Sequence, residues 1–281
     1  MIKVCVREIS SAEDSHRKRA LSVHTLTLGK HNPRLAEIRR ALDRGVLTSD
    51  GCLVVEGPKL IDEAHQSGLA LVALFLREDA PAIDVDASTP VYRLDPAAFR
   101  KIQSTESSQG AVALVRPRQF SIEDLATKPG GPIVLLARLQ DPGNAGTILR
   151  MAEAFGCSGC IGLKGTASAH NPKTVRASAG SVFRIPHVWD VDLADAVASL
   201  RRNNIALVGA APRAPRTIPE WDWRRPSAVM IGNEARGLNA EETEACDALL
   251  RIPHHPSVQS LNSAAAAAII LYEAFRQRGL E

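Results

Sequence analysis

The sequence is poor in aromatic residues and in cysteine, and it contains no long apolar run. Aromatic side chains make up 4% of the 281 residues, and the five cysteines are scattered along the chain. A sparse, odd set of cysteines argues against a disulfide framework and favours a reducing compartment. The most apolar stretch, residues 264–271, is too short to cross a bilayer, and residues 1–30 lack the apolar core of a signal peptide. We therefore expect a cytoplasmic protein with no membrane attachment.

Charge is nearly balanced over the whole chain but uneven along it. The sequence has 34 Lys and Arg against 31 Asp and Glu, and 45% of its residues are hydrophobic, as in a soluble globular protein. Residues 1–45 alone carry ten basic residues against five acidic ones. Such an excess can attract a polyanion, although a solvated helix face explains it equally well.

The hydrophobic pattern divides the chain into two α/β units. We predict a basic N-terminal arm over residues 1–30, a first α/β domain over residues 31–117, a polar linker over residues 118–131 and a second domain over residues 132–281. In the second domain, strands alternate with helices of about three turns, and one of these strands is predicted at residues 183–185. Such alternation is typical of a mostly parallel sheet covered by helices on both faces.

Two short pairs of residues raise the question of a metal site. Cys157 and Cys160 form a C-x-x-C pair, but one such pair leaves a tetrahedral zinc site two ligands short. His254 and His255 are adjacent, and neighbouring side chains in an extended loop point to different sides. We therefore expect no metal, and we interpret the two cysteines as small buried residues at the start of a strand.

Three loops that adjoin predicted strands deserve attention, because ligands of open parallel sheets bind at the carboxyl ends of the strands. They cover residues 140–150, 231–238 and 253–263, and the last leads into an alanine-rich helix. Each could be an ordinary connection in which Asn144 or Ser260 caps a helix. None carries the glycine pattern of a dinucleotide fold or of a P-loop, which disfavours a nicotinamide-dependent oxidoreductase.

Taken together, the three loops resemble the motifs of the SpoU/TrmH family of RNA ribose methyltransferases. The first family motif has Asn, Gly and Arg after a strand, the second has Gly, Asn and Glu, and the third is Ser-Leu-Asn before an alanine-rich helix. The matching residues are Asn144, Gly146 and Arg150; Ile231, Gly232, Asn233, Glu234 and Gly237; and Ser260, Leu261 and Asn262. The resemblance is strong over residues 132–278 and extends less specifically to the first domain.

The resemblance implies a fold, a cofactor and partners. The second domain would be an α/β domain with a mostly parallel sheet, helices on both faces and a deep trefoil knot that holds S-adenosylmethionine. The first domain would resemble a ribosomal-protein fold and bind the RNA substrate, which favours ribosomal RNA. Relatives are homodimers in which an arginine of one subunit approaches the cofactor of the other. A transfer RNA 2′-O-methyltransferase and a non-catalytic protein that binds structured RNA remain alternatives.

The resemblance also assigns roles to individual residues. Arg150 would grip the RNA phosphate beside the target ribose and orient its hydroxyl group, because an arginine is normally always charged and makes a poor base. The residues expected to position the substrate and support the loops are Asn144, Glu234, Ser260 and Asn262. The residues whose main chain is expected to hold the cofactor are Gly209, Gly232, Ile252 and Leu261.

Overall fold

The computed structural model describes residues 25–27, 32–105 and 107–279. These residues form two α/β units, each built on its own sheet. The predicted basic arm of residues 1–30 lies outside the described residues except for one short strand, which joins the first sheet.

The N-terminal unit is a five-stranded mixed sheet. Its elements are β1 (Thr25–Thr27), α1 (Pro33–Arg44), β2 (Leu53–Glu56), α2 (Pro58–Gln66), β3 (Leu71–Arg77), β4 (Val91–Leu94), α3 (Pro96–Phe99) and β5 (Ala111–Val115). The strand order is β1-β4-β3-β5-β2, and β5 runs antiparallel to both of its neighbours. Helices α1 and α3 cover one face with a closed cluster of aliphatic and aromatic side chains. The other face contributes to a cluster that continues into the C-terminal unit.

The C-terminal unit is a seven-stranded sheet in which every pair of neighbouring strands is parallel. Its elements are α4 (Ile122–Thr127), β6 (Gly131–Leu136), α5 (Pro142–Ala154), β7 (Cys157–Leu163), α6 (Pro172–Ala177), β8 (His187–Val191), α7 (Leu193–Arg202), β9 (Ala206–Ala210), β10 (Arg216–Thr217), β11 (Ser227–Ile231), α8 (Ala240–Glu244), β12 (Ala248–Arg251) and α9 (Ser263–Arg278). The strand order is β10-β12-β9-β11-β6-β7-β8. Helices α5 and α9 cover one face, while α4 and α7 cover the other. The predicted parallel α/β architecture is confirmed.

The segment predicted as a linker, residues 118–131, contains a packed helix. Ser121 and Asp124 form a reciprocal capping box at the start of α4. Leu125 is fully buried, and its Cγ atom lies only 2.6 Å from where a Cβ atom on Gly159 would be. The segment connects the two sheets along the chain, but it belongs to the C-terminal core because one buried leucine anchors an otherwise polar stretch.

The strand predicted at residues 183–185 is wrong. Ser181–Phe183 form a 3-10 helix after Gly180, which adopts a φ of 90°. Val182 and Phe183 are buried in the cluster shared with the N-terminal unit, and the strand follows as β8. A short apolar run is compatible with either a strand or a buried turn, so hydrophobicity alone could not decide between them.

Candidate functional site

A cavity of about 270 Å³ lies at the carboxyl ends of β9, β11 and β12, beside the start of α9. Its walls are mostly the loops that follow these strands. The lining residues are Ala210, Ala211, Pro212, Ile231, Gly232, Asn233, Glu234, Ala235, Arg236, Gly237, Leu250, Ile252, His254, Ser260, Leu261, Ser263 and Ala266. The position agrees with the expected location of a ligand in a parallel sheet.

Three of the four residues predicted to hold a cofactor line this cavity, namely Gly232, Ile252 and Leu261. Gly209 lies one residue inside β9 and does not line it. A Cβ atom at Gly209 would lie 2.7 Å from a methyl carbon of Leu238 and 2.9 Å from the Cys246 sulfur, so this glycine serves packing beneath the loop. The cavity wall begins at the next residue of the strand, Ala210.

Gly232 is required by the folding of its own loop. Asn233 and Gly237 exchange two backbone hydrogen bonds of 3.2 and 2.8 Å, which turn the chain back on itself. A Cβ atom at Gly232 would lie 2.4 Å from the carbonyl carbon of Gly237. The space that a side chain at residue 232 would need is therefore occupied by the chain itself, and the bare backbone of Gly232 lies against the cavity.

Hydrogen bonds join the three predicted motif loops at the cavity edge. The Glu234 carboxylate accepts from the backbone N–H groups of Gln140 and Asp141, each at 3.1 Å, and from the Asn144 side-chain amide at 3.2 Å. The Oδ1 atom of Asn144 in turn accepts from Nδ2 of Asn262 at 3.1 Å. Thus the side chains of Glu234, Asn144 and Asn262 form one connected chain with Asn144 in the middle, although Asn144 and Asn262 are 118 residues apart in the sequence.

This environment favours the charged form of Glu234. Partial burial raises the pKa of its carboxyl group, but the donated hydrogen bonds from Gln140, Asp141 and Asn144 outweigh that effect. The net result is a pKa below the ordinary value for glutamate. Glu234 therefore serves as an anionic acceptor that fixes the loop after β6 to the loop after β11.

The capping roles suggested by the sequence fall on other residues. Asp141, and not Asn144, caps α5 by accepting from the N–H group of Gly143. Asn262, and not Ser260, caps α9 by accepting from the N–H groups of Ala264 and Ala265. Ser260 instead lines the cavity. Asn144 is thereby left to link the loops.

Arg138 is a part of this site that the sequence patterns missed. It follows β6 with a φ of 58°, a left-handed conformation that is uncommon for a residue other than glycine. Its guanidinium donates to both carboxylate oxygens of Glu242, at 2.7 and 2.8 Å, and its carbonyl accepts from the Asn233 side chain at 2.8 Å. Burial raises the pKa of Glu242, yet the Arg138 hydrogen bonds and an N–H group of Asn239 bring it below the ordinary value.

Arg150 lies outside the cavity, in a separate cleft of about 710 Å³ between the two units. Arg150 and Glu153 of α5 face Lys59 and Glu63 of α2 across this cleft. Arg184 bridges the units by pairing with Glu153 at 2.6 Å and Glu63 at 2.7 Å. Among the residues that the structure describes, the charged groups of Lys59 and Arg150 have no hydrogen-bond or ion-pair partner.

A third cation, Arg176, belongs to the same cleft and donates to the Ser104 hydroxyl at 2.9 Å. The two acidic groups of the cleft are therefore occupied by Arg184, while Lys59, Arg150 and Arg176 carry charge that no carboxylate neutralises. The cleft accordingly presents positive charge to the solvent.

The cysteine pair lies inside the C-terminal sheet. Cys157 and Cys160 are buried and unpaired on β7, and burial raises the pKa of the Cys157 thiol to about 12. Over residues 25–27, 32–105 and 107–279, no group of three or more His, Cys, Asp or Glu side chains is arranged to hold a metal ion. Within the same described ranges, no helix has the length and apolar character needed to span a membrane.

Comparison with known proteins agrees with this geometry. A 23S rRNA (guanosine(2553)-2′-O)-methyltransferase, RlmP of Bacillus subtilis, is 31% identical over 86% of this chain and 95% of its own length. The fold is similar to an rRNA methyltransferase of Sinorhizobium meliloti bound to AdoMet, with a TM-score of 0.78 and 29% identity over 92% of this chain and 99% of that one. It is also similar to the SpoU methyltransferase AviRb of Streptomyces viridochromogenes in complex with AdoMet, with a TM-score of 0.77 and 29% identity over 88% of this chain and 98% of that one.

The model of the SpoU rRNA methylase family matches residues 131–272, a segment that contains all three motif loops and the cavity. The resemblance read from these motifs is therefore confirmed, and the nicotinamide-dependent oxidoreductase is removed as an alternative. This chain belongs to the SpoU rRNA methylase family.

Proposed function

We propose that this protein uses S-adenosylmethionine to methylate a ribose 2′-hydroxyl group in ribosomal RNA. The observation that carries the proposal is the connected chain of Asn144, Glu234 and Asn262 at the edge of the cavity. It joins all three family motifs in one place. The relatives support the choice of reaction and cofactor, since RlmP is named for a guanosine 2′-O position of 23S rRNA and two similar structures hold AdoMet.

The cavity suits the adenosine part of the cofactor. Ile231, Leu250, Ile252 and Leu261 provide aliphatic walls, while the ends of the strands offer backbone donors and acceptors to a base and a ribose. Its volume of about 270 Å³ is close to the lower end of the usual range for small-molecule pockets, about 300–1,000 Å³. When bound, S-adenosylmethionine supplies an electrophilic methyl group to the ribose oxygen.

Arg150 has the chemistry needed to hold the RNA. Its guanidinium stays protonated and can form two parallel hydrogen bonds to a phosphate group. Gripping the phosphate beside the target ribose aligns the 2′-hydroxyl group for in-line attack. The phosphate held in this way is the group that we assign to share the hydroxyl proton.

The separation of Arg150 from the cavity favours a homodimer. In one chain the proposed site is incomplete, because Arg150 faces the cleft between the units instead of the cavity. A second subunit would bring its own Arg150 to the cavity, as the family resemblance implies. Ile269 and Tyr272 of α9 support such an arrangement, since they are 41% and 54% exposed and leave apolar surface for a partner.

We also propose that the C-terminal unit contains a trefoil knot and that the protein is located in the cytoplasm. Strand β11 lies between β9 and β6, β12 lies beyond β9, and α9 then returns to pack on α5. This order supports a chain that passes its C-terminal end through an earlier crossover, which is rare among folds. The unpaired cysteines of the described ranges fit a reducing compartment.

We assign RNA binding to the N-terminal unit together with the cleft. Lys59 comes from the N-terminal unit, whereas Arg150 and Arg176 come from the C-terminal unit, so the cationic cleft exists only where the two units meet. Phosphate groups are attracted to unneutralised Lys and Arg side chains. An RNA strand in the cleft would therefore contact both units at once.

The proposal is tested by mixing two inactive variants. Ala266→Phe fills the cavity from the start of α9, and Arg150→Ala removes the guanidinium. Each variant alone should be inactive. After random exchange of subunits, about a quarter of wild-type activity should return, because half of the dimers are hybrids with one complete site each.

A double variant that carries both substitutions in one chain is the control for this experiment. Mixed with Arg150→Ala, it leaves every cavity without an arginine and should restore nothing. Absence of recovery in the first mixture would contradict the shared site, and full activity of Arg150→Ala alone would contradict the role of Arg150.

A further inference from the structure

His254 has an unusual pair of partners in the loop that joins β12 to α9. Its Nδ1 atom lies 2.7 Å from the carbonyl oxygen of Ile252, and its Nε2 atom lies 3.1 Å from the carbonyl oxygen of Val258. Both partners are carbonyl oxygens, which accept hydrogen bonds and cannot donate them. The ring therefore bridges the chain across residues 252–258.

Only the doubly protonated ring satisfies this geometry. A neutral imidazole has one N–H group and one lone pair, so one of its nitrogens would direct a lone pair at a carbonyl oxygen. An imidazolium donates from both nitrogens, and hydrogen bonds from a charged donor are stronger than neutral ones. Loss of the proton therefore opens one side of the bridge.

The bridge controls the shape of the cavity wall. Ile252 and His254 line the cavity at one end of the loop, and Ser260 and Leu261 line it at the other. Because the ring holds residues 252 and 258 at a fixed distance, it determines the position of residues 260 and 261 in the cavity wall. The neighbouring His255 instead places its Nδ1 atom 2.7 Å from the Ser257 hydroxyl and does not line the cavity.

Few other charged groups face His254 around this cavity. Glu234 and Arg236 line it from the loop after β11. The lining residues at the end of β9 and directly after it are Ala210, Ala211 and Pro212, and those of α9 are Ser263 and Ala266. Neither group contributes a charge to the cavity wall. Within its own loop, the other titratable group is His255.

We propose that His254 is a positioning residue for the cofactor cavity, and that its imidazolium form clamps the loop of residues 252–258 in the shape that binds the adenosyl group. The inference rests on the proposed function, since it requires the cavity to hold S-adenosylmethionine. It adds a dependence of cofactor affinity on the protonation of one histidine outside the three family motifs.

The experiment measures the dissociation constant of S-adenosylhomocysteine by calorimetry from pH 5.5 to 8.5. This probe lacks the sulfonium charge, so repulsion between that charge and an imidazolium does not enter. Wild-type protein is compared with His254→Gln, which does not titrate, and with His255→Gln as the matched control. Ionisation of the ligand affects all three proteins equally. The ratio of the variant dissociation constant to the wild-type dissociation constant therefore reports only the effect of the substitution on the protein.

For His254→Gln, the ratio should be about ten at pH 5.5 and close to one at pH 8.5. A tenfold difference is the size expected for the loss of one charged hydrogen bond. His255→Gln should stay near one throughout, and melting without ligand should show that both variants fold. A ratio for His254→Gln that does not change with pH would overturn the clamp alone. Absence of probe binding by the wild-type protein at every pH would overturn the proposed function as well.

Discussion

Arg150 and Glu242 illustrate two kinds of contribution by a single charged side chain. Arg150 is exposed and has no partner among the described residues, which leaves its guanidinium available to an external anion. Glu242 is 3% exposed, and both of its carboxylate oxygens are held by Arg138. We propose that the first side chain binds the substrate, whereas the second secures the loop next to the cavity.

Replacing Arg150 with alanine should separate catalysis from cofactor binding. We expect the methyl-transfer rate to fall by about 100-fold or more, because a misplaced hydroxyl group loses much of the benefit of alignment. The dissociation constant of S-adenosylmethionine should change less than about twofold, a difference below 0.5 kcal/mol. Arg201→Ala, which removes another exposed arginine, is the control. A rate above half of the wild-type value would show that Arg150 has another role.

Replacing Glu242 with glutamine should lower stability in a pH-dependent manner. The folded state lowers the pKa of Glu242 below its ordinary value of 4.5, so its contribution is present above that value and is lost as the pH falls through the folded-state pKa. At pH 7 we expect a loss of about 2 kcal/mol, because Arg138 is left without its partner. Chemical unfolding measures it, with the exposed neighbour Glu241→Gln as control. An equal loss at pH 7 and at pH 3 would contradict the ion pair.

Single residues were predictable where a motif fixes both type and position. Asn144, Glu234 and Asn262 were identified in this way, and the structure brings them together. Their individual partners were not predictable, and the capping roles went to neighbours two or three residues away. Arg138 left no usable signal, because a left-handed conformation and a partner 104 residues away cannot be read from local sequence.

Among the structural elements, the loop after β11 is closely constrained by its own backbone. Its two hydrogen bonds between Asn233 and Gly237 close a turn directly against the cavity. Gly232 has no room for a side chain, while a Cβ atom at Gly237 would meet no heavy atom within 4 Å. The two glycines are therefore needed for different reasons. Residue 232 must lack a side chain because the backbone of Gly237 occupies the space, whereas residue 237 adopts a φ of 65°, which favours glycine.

Gly232→Ala and Gly237→Ala should consequently differ in their effect on cofactor binding. The added methyl group at residue 232 collides with backbone, so the loop must shift, and we expect a stability loss of about 1–3 kcal/mol with at least tenfold weaker binding of S-adenosylmethionine. The change at residue 237 costs about 1–2 kcal/mol of backbone strain but introduces no collision. Calorimetric titration of both variants distinguishes them. Equal affinities would contradict the close packing of this loop.

The pattern of apolar and polar residues predicted most elements but not the irregular ones. Long strands such as β7 and the helix α9 follow clear patterns and were identified. Helix α4 was missed because six residues with one buried leucine resemble a polar loop. The turn at Ser181–Phe183 was mistaken for a strand because its burial comes from the other unit of the chain.

At the scale of the whole molecule, the two units are joined by both packing and charge. One cluster of buried side chains contains Leu53 and Val55 of the first sheet together with Val175 and Phe183 of the second unit. Arg184 adds a bridge between Glu63 and Glu153 at the surface. The sequence predicted two α/β units, but the order of the strands and this shared core depend on distant contacts that no local pattern contains.

The cationic cleft between the units should dominate the salt dependence of RNA binding. With Lys59→Glu and Arg176→Glu combined, we expect binding of a ribosomal RNA fragment to weaken and the logarithmic slope against salt to fall by about 0.7 for each lost phosphate contact. Affinity for S-adenosylmethionine should stay unchanged. Fluorescence anisotropy at several salt concentrations measures the slope, and Arg201→Glu combined with Arg202→Glu, two exposed positions of α7, is the charge-matched control. An identical slope for wild type and the double variant would place the RNA elsewhere.

Methylation of ribosomal RNA by this protein is tested most directly by following a labelled methyl group from S-adenosylmethionine into RNA. Purified protein is incubated with unmodified ribosomal RNA and, separately, with transfer RNA, and 2′-O-methylated nucleotides are then mapped. We expect a 2′-O-methyl group at a defined nucleotide of ribosomal RNA with wild-type protein, and none with Arg150→Ala. Label on a base, label on transfer RNA alone, or tight RNA binding without any methyl transfer would contradict it.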